Sequence, residues 1–230
     1  MHSPLVGPLT WKRVAEHLPA AVVPSFVHLA DAQPPFWPIV AETVSVAVEG
    51  LPAETAVVLV AHSNAGRYMP LVVTAMSRTV IGCLFVDASL PALSGVTDGV
   101  SPALLELARG KADGGRLPPW SRWWDDAEIA PMFPDTESLE AFRAEEPRLP
   151  LSYFEQRIPA PAGWNDGIPC GYLMFAPPGQ DGDDEKARDA RERGWRVERL
   201  PGRHLHPLVD PEAVAAMLGK MSREIIRTSS

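Results

Sequence analysis

Two apolar runs, AVVLVA at 56–61 and VIGCLFV at 80–86, are of strand length and carry no polar position. A strand without a polar face is covered on both sides, the pattern of a parallel sheet between helix layers. Strand-like sequence returns at 170–176 (CGYLMFA) and, in alternating form, at 195–200 (WRVERL). An earlier stretch, 22–29, reads as a strand interrupted by Pro24. Helical patterns lie between. Residues 9–19 place Trp11, Val14, Ala15 and Leu18 at helical spacing and stop at Pro19. Residues 36–50 close on Gly50, and 65–77 and 183–194 follow. A last helix starts at Asp210-Pro211 and runs to about 227. This alternation predicts an α/β fold with a mostly parallel sheet of about five strands flanked by helices.

Residues 92–160 break the pattern. They are rich in Pro, Gly and acidic residues, hold Trp120, Trp123 and Trp124, and offer helical pieces at 102–110 and 136–146. The expected division is a core of residues 1–91 and 161–230 with an insertion at 92–160.

Composition narrows the function classes. The 230 residues carry a formal net charge of −8 and no run of Lys or Arg, which argues against a nucleic-acid partner. The longest apolar stretches, about ten residues, are too short to span a bilayer. Met1-His2-Ser3-Pro4 lacks the charged and apolar regions of a secretory signal. Cys83 and Cys170 each lie in an apolar run and read as buried free thiols, so a cytoplasmic location is expected. Only four of the 21 basic residues are Lys, an Arg-rich bias of the kind a GC-rich bacterial genome produces.

The segment VVLVAHSNAG, 57–66, runs from a buried strand through Ser63 into a helix. The residues two before and two after Ser63 are both Ala, small enough for a sharp turn that lifts a nucleophilic Ser above the sheet. A Ser that only caps the helix is the simpler alternative. A second informative segment, LPGRHLHPLVDP at 200–211, follows the last strand. A His there suits a general base for Ser63. His204, in the loop proper, is favoured over His206, which leads into the helix. No third ligand is spaced to form a metal site with them.

These residues resemble the α/β-hydrolase superfamily, in particular bacterial members with an H-S-x-x-x-G-P segment, an HS-x-x-G turn, an F-V-D-A strand end and a G-x-H-L-H loop. Here they are His2 to Pro8, His62 to Gly66, Phe85 to Ala88 and Gly202 to His206. The resemblance covers nearly the whole chain. It implies Ser63 as nucleophile, His204 as base and residues 92–160 as a cap. It also implies an acid, for which Asp87 at a strand end is preferred, since an apolar strand end holds an Asp only when it is paired. Asp183 is the reserve, in the acidic stretch that also holds Asp181 and Asp184. In the oxyanion hole, the backbone N–H of Asn64 is one expected donor. The position of the second is Pro4, which has no N–H, so Leu5 is the substitute.

The resemblance also implies strands that the chain lacks. Residues 22–29 and 57–61 then either pair directly, or a second chain fills the gap, or the polypeptide starts upstream of Met1. An exposed edge would also favour a homodimer. Trp120, Trp124 and Phe154 are expected to bind the substrate, although such aromatic residues serve equally as the insertion's own core. The leading expectation is a serine hydrolase of a small apolar ester, thioester or lactone, needing no cofactor or metal. The alternatives are a hydrolase-fold lyase, isomerase or cyclase acting on a natural-product-like molecule, and a non-catalytic binding protein.

Overall fold

The computed structural model describes residues 1–180 and 182–227. Helices α1 (Leu9–Glu16) and α2 (Trp37–Ala47) precede strand β1 (Val57–His62). A 3-10 turn (Ser63–Tyr68), α3 (Met69–Ala75) and β2 (Val80–Val86) follow. The insertion carries β3 (Gly95–Asp98), α4 (Pro102–Lys111), α5 (Asp126–Ile129), α6 (Thr136–Glu145), α7 (Ser152–Glu155) and β4 (Arg157–Ala160). The chain ends with β5 (Cys170–Ala176), α8 (Glu185–Glu192), β6 (Arg196–Pro201), α9 (His206–Val209) and α10 (Pro211–Arg227).

The main sheet has four strands in the order β1-β2-β5-β6, all parallel. Strand alternation splits its side chains between two cores. Leu84, Val86, Leu173 and Phe175 meet Trp11 and Val14 of α1 and Val214, Leu218 and Met221 of α10. Leu59, Ala61, Cys83, Phe85, Tyr172 and Met174 face α2, α3 and α8. This two-sided cover is why β2 and β5 have no polar residue. Helix starts follow side-chain acceptors: Asp184 caps α8 through the Ala187 N–H (2.7 Å) and Asp210 caps α10 through the Ala213 N–H (3.0 Å). Cys83 and Cys170 are buried, unbonded neighbours in register across β2 and β5.

Two features depart from the sequence pattern. Residues 22–29 form no strand: 21–26 lie outside any ladder, and Val27–Asp31 is a 3-10 turn. The sheet therefore has four strands rather than five. Direct pairing of 22–29 with 57–61 does not occur either, because Met1 lies along the end of β1. Met1 N donates to the Val60 carbonyl (2.6 Å), and the His62 N–H donates to the Met1 carbonyl (3.1 Å). Conversely, β3 and β4 pair antiparallel where no strand was expected, so residues 99–156 leave and return to the core at one place.

Among the described residues, no helix is long and apolar enough to cross a membrane. Phe85 is fully buried and stacks on Trp195 with ring centroids 4.8 Å apart. Phe85→Ala should cost about 3–5 kcal/mol of stability, measured by urea denaturation. A cost under about 1 kcal/mol would mean that this face of the sheet is not a fixed core.

Candidate active site

Ser63 sits where β1 breaks into the 3-10 turn, with φ of 58°, a left-handed conformation for a residue other than glycine. The surrounding chain holds it there. The Ser89 N–H donates to the Ser63 carbonyl (2.9 Å), and a Cβ at Gly66 would collide with the Ser89 carbonyl oxygen. Ala61 and Ala65 are buried on either side, as the close approach requires. The turn's geometry is that of a nucleophile elbow.

Asp87 follows β2 with φ of 43°, and its N–H donates to the Leu173 carbonyl (2.7 Å). His204 arrives from the loop after β6. Its Nδ1 is 2.5 Å from Asp87 Oδ2, and its Nε2 is 3.0 Å from Ser63 Oγ. A carboxylate only accepts, so Nδ1–H donates to Asp87 and Nε2 is free to accept from Ser63. Burial pushes the Asp87 carboxyl up, but the hydrogen bond from His204 and its positive potential outweigh this and hold it below the ordinary carboxylate range.

The other sequence candidates lie apart. Asp183 is an ion-pair partner of Arg191 (2.5 Å), Asp184 caps α8, and Asp181 lies outside the described residues. His206 starts α9 and packs edge-on to Phe175, and a Cβ at Gly202 would collide with its ring. Among the described residues, no cluster of three His, Cys, Asp or Glu could hold a metal.

Two buried histidines outside the chain of contacts support it. His62 Nε2 is 2.9 Å from the His204 carbonyl oxygen, and the two rings lie 4.6 Å apart. A carbonyl cannot donate, so His62 is protonated on Nε2 and holds the loop that presents His204. His2 Nε2 accepts from the Phe26 N–H (3.0 Å) while its Nδ1 donates to the Ser3 carbonyl (2.7 Å). The turn beyond closes with Val6 N–H to the Ser3 carbonyl (3.1 Å) and Leu5 N–H to Ser3 Oγ (3.3 Å). The Leu5 donor is therefore already engaged. The position of His62 immediately before Ser63 was the available signal for it, and no local pattern marked its reach to His204.

The insertion is tied to the turn by buried polar contacts. Asn64 Nδ2 donates to the Gly99 carbonyl (2.9 Å), Tyr153 Oη donates to Asn64 Oδ1, and Gln156 Nε2 donates to Tyr68 Oη (2.9 Å). Glu146 accepts from the Ser121 N–H (2.7 Å) and hydroxyl (2.5 Å), fixing the turn that bears Trp120. Trp120 lies 6.2 Å from the His204 ring, and Trp124 lies edge-on to Trp120. Phe154 is elsewhere: it is buried against Trp123 and Tyr153 in the insertion's own core.

Comparison with protein-family models gives no match, and comparison with curated sequences gives none. Solved structures do align. An extracellular α/β-hydrolase from a Paenibacillus species, described as sharing structural and functional homology with tobacco salicylic acid binding protein 2, superposes with a TM-score of 0.74 at 15% identity, covering 97% of each chain. The chain has the α/β-hydrolase fold. Polyneuridine aldehyde esterase aligns with a TM-score of 0.65 at 15% identity over 96% of each chain. Tomato methylketone synthase I, complexed with 2-tridecanone, aligns with a TM-score of 0.65 at 12% identity, over 98% of this chain and 96% of the synthase. This α/β-hydrolase core thus accompanies both esterase and synthase names at low identity.

Burial lowers His62 from 6.5 to about 3 and His2 from 6.5 to about 4. Both rings are neutral in the folded protein and charge once unfolded. The stability each lends is full above pH 6.5 and is lost as the pH falls toward the folded value. Urea denaturation should therefore show a loss of about 2 kcal/mol per ring between pH 7 and pH 5. His62→Gln keeps an N–H donor for the His204 carbonyl and should remove about one ring's share of that slope. An unchanged slope would mean that His62 is not buried as a neutral ring.

Proposed function

We propose that the protein is a serine hydrolase of the esterase type, acting on a small apolar ester, thioester or lactone. The single observation that carries this reading is the hydrogen-bonded chain from Ser63 Oγ through His204 to Asp87, at 3.0 Å and 2.5 Å. Ser63 Oγ attacks the substrate carbonyl carbon while its proton passes to His204 Nε2, and the carbonyl electron pair moves onto the oxygen. Collapse of the tetrahedral adduct breaks the bond to the leaving group, which takes the proton from Nε2. Water, deprotonated by the same nitrogen, then releases the acid and restores Ser63. Asp87 stays ionised throughout and favours the imidazolium that forms. The Asn64 backbone N–H is the first oxyanion donor. Trp120, with Trp124 beside it, supplies an apolar wall over the base, and residues 92–160 act as the cap.

A second reading, a lyase, isomerase or cyclase working by proton transfer at His204, has one observation in its favour. Pro4 offers no N–H, and the Leu5 N–H is held by Ser3 Oγ at 3.3 Å. Losing one oxyanion donor typically costs about 10²–10³ in turnover. Such a loss weakens acyl transfer without touching the base.

A fluorophosphonate probe should label the protein at Ser63, with labelling absent in Ser63→Ala. Failure to label the folded protein would sink the nucleophile assignment and leave the proton-transfer reading or a binding protein. Asp87→Asn should lower kcat by about 10⁴ with the fold intact, whereas Asp183→Asn should leave it unchanged. The reverse pattern would move the acid to Asp183.

Turnover of p-nitrophenyl acetate should be about 10²–10³ below that of an enzyme with two oxyanion donors. Fast hydrolysis abolished by Ser63→Ala would show that the Leu5 N–H is released to the substrate.

A further inference from the structure

Helix α6 ends in two adjacent carboxylates, Glu145 and Glu146. Negative charge at a helix C-terminus opposes the macrodipole, so neither is placed there to stabilise α6. Arg143, in the same turn, is engaged by Asp126 (2.7 Å) and Glu140 (3.1 Å). The two carboxylates instead reach in different directions. Glu145 Oε2 accepts from the Leu9 N–H at the start of α1 (2.8 Å), where Pro8 supplies no side-chain cap. Gly7 makes room for it, since a Cβ there would lie 2.5 Å from Glu145 Cβ. Glu146 accepts from the N–H and the hydroxyl of Ser121, a fully buried residue in the 3-10 turn Trp120–Trp123.

We propose that Glu145 and Glu146 are positioning residues: together they tie the turn that bears Trp120 to α1, and so hold that ring beside His204 to receive the apolar group of the substrate. This role rests on the esterase-type reading above. The contacts close a circuit. α1 carries Trp11, whose ring meets the His62 ring edge-on at 6.0 Å and whose Nε1–H donates to the Met1 carbonyl (3.1 Å). His62 in turn holds the His204 carbonyl (2.9 Å). From the other end, Trp120 packs edge-on against Phe142 of α6 (6.4 Å), four residues before Glu146, and lies 6.2 Å from the His204 ring. The base and the apolar wall are therefore both referred to α1 and α6.

In Glu146, two acceptor oxygens on one side chain match two donors on one residue. Alanine there would leave the Ser121 N–H and hydroxyl buried without partners, a cost relieved by shifting the turn. Glutamine would keep both bonds, because its Oε1 accepts from the N–H while its Nε2 donates to the Ser121 hydroxyl oxygen. A shift of the Trp120 ring leaves the contacts among Ser63, His204 and Asp87 in place. It should therefore weaken substrate binding without slowing the chemical step. The loss should also grow with the apolar bulk of the ester, since a compact ester makes little contact with an aromatic wall.

The test measures kcat and KM for naphthyl acetate and methyl acetate, together with hydrogen exchange at the Ser121 amide. Glu146→Ala should raise KM for naphthyl acetate about 10-fold and leave kcat within about 2-fold. Its kcat/KM for methyl acetate should change by less than about 2-fold. Glu145→Ala should shift KM the same way, and Glu146→Gln should keep the wild-type value. In a Trp120→Ala background, Glu146→Ala should add nothing further. The Ser121 amide should exchange at least ~10-fold faster in Glu146→Ala but not in Glu146→Gln. Equal losses on both esters, an undiminished effect without Trp120, or Ser121 exchange that ignores Glu146 would each overturn the proposal. Should Glu146→Ala fail to fold, Ser121→Ala, which removes one of the two bonds, decides instead: a KM rise on naphthyl acetate alone supports the clasp, and an unchanged KM or a fall in kcat overturns it. If neither ester is turned over and Ser63 takes no fluorophosphonate label, the esterase-type reading fails and the specificity role with it. Faster Ser121 exchange in Glu146→Ala would still mark the clasp, so the two failures are told apart.

Discussion

The site depends on one backbone constraint, the left-handed turn at Ser63. A residue other than glycine held at φ of 58° costs on the order of 1–3 kcal/mol. It persists because the turn is fixed from both ends: β1 enters it as a buried strand, and the Ser89 N–H clasps the Ser63 carbonyl. Gly66 allows the residues after Ser63 to pass against the segment that follows Asp87. The contact that forms this turn therefore also sets the distance between Ser63 and Asp87. Strain at Ser63 and the position of Asp87 are two consequences of how β1 and β2 end side by side.

Polar groups buried around this turn act as positioning devices rather than as stabilising contacts in their own right. A neutral His62 in an apolar strand end leaves Nδ1 without a partner, which costs free energy of the order of 1–3 kcal/mol. A core built only for stability would carry an apolar residue there. What the ring provides is a fixed carbonyl at His204, and so a fixed aim for the imidazole. Asn64 plays a parallel part on the other side, pinned by Gly99 and Tyr153 so that the peptide following Ser63 has little freedom. The insertion thus contacts this turn through Asn64 and the His204 ring through Trp120.

How much of this was legible in the sequence follows from how local each signal is. β2 and β5 coincide with the apolar runs 80–86 and 170–176, because burial on both faces leaves no polar residue to blur the ends. The preference for Asp87 over Asp183 combined the family resemblance with the cost of burying an unpaired Asp, and the structure places Asp87 beside His204 and Asp183 on Arg191. Residues 22–29 show the limit. Their composition suits a strand, but a strand exists only as a member of a ladder, and the partner is set by tertiary structure. Trp120 and Phe154 show the same limit for side chains. Neither lies in a periodic segment, and one ends near His204 while the other ends inside the insertion's core. The β3–β4 pair was invisible because four-residue strands containing Gly95 and Pro159 carry no alternation to read.

The rung at Met1 and the turn at Ser3–Leu5 are mechanically one unit. Met1 forms the last rung against β1, and His2 turns from that rung to hold Phe26. Ser3 then engages Leu5, the nearest N–H that follows Pro4. Each link fixes the next, so the freedom left at Leu5 is inherited from the ladder at Met1. The Leu5 N–H is thus held by a chain of contacts that begins beside β1, away from Ser63. That coupling separates two properties of the site that are easily treated as one. The Ser63–His204–Asp87 geometry is set by β1, β2 and the loop after β6, while the position of the Leu5 N–H is set by the contacts that run from Met1 along the other edge of β1.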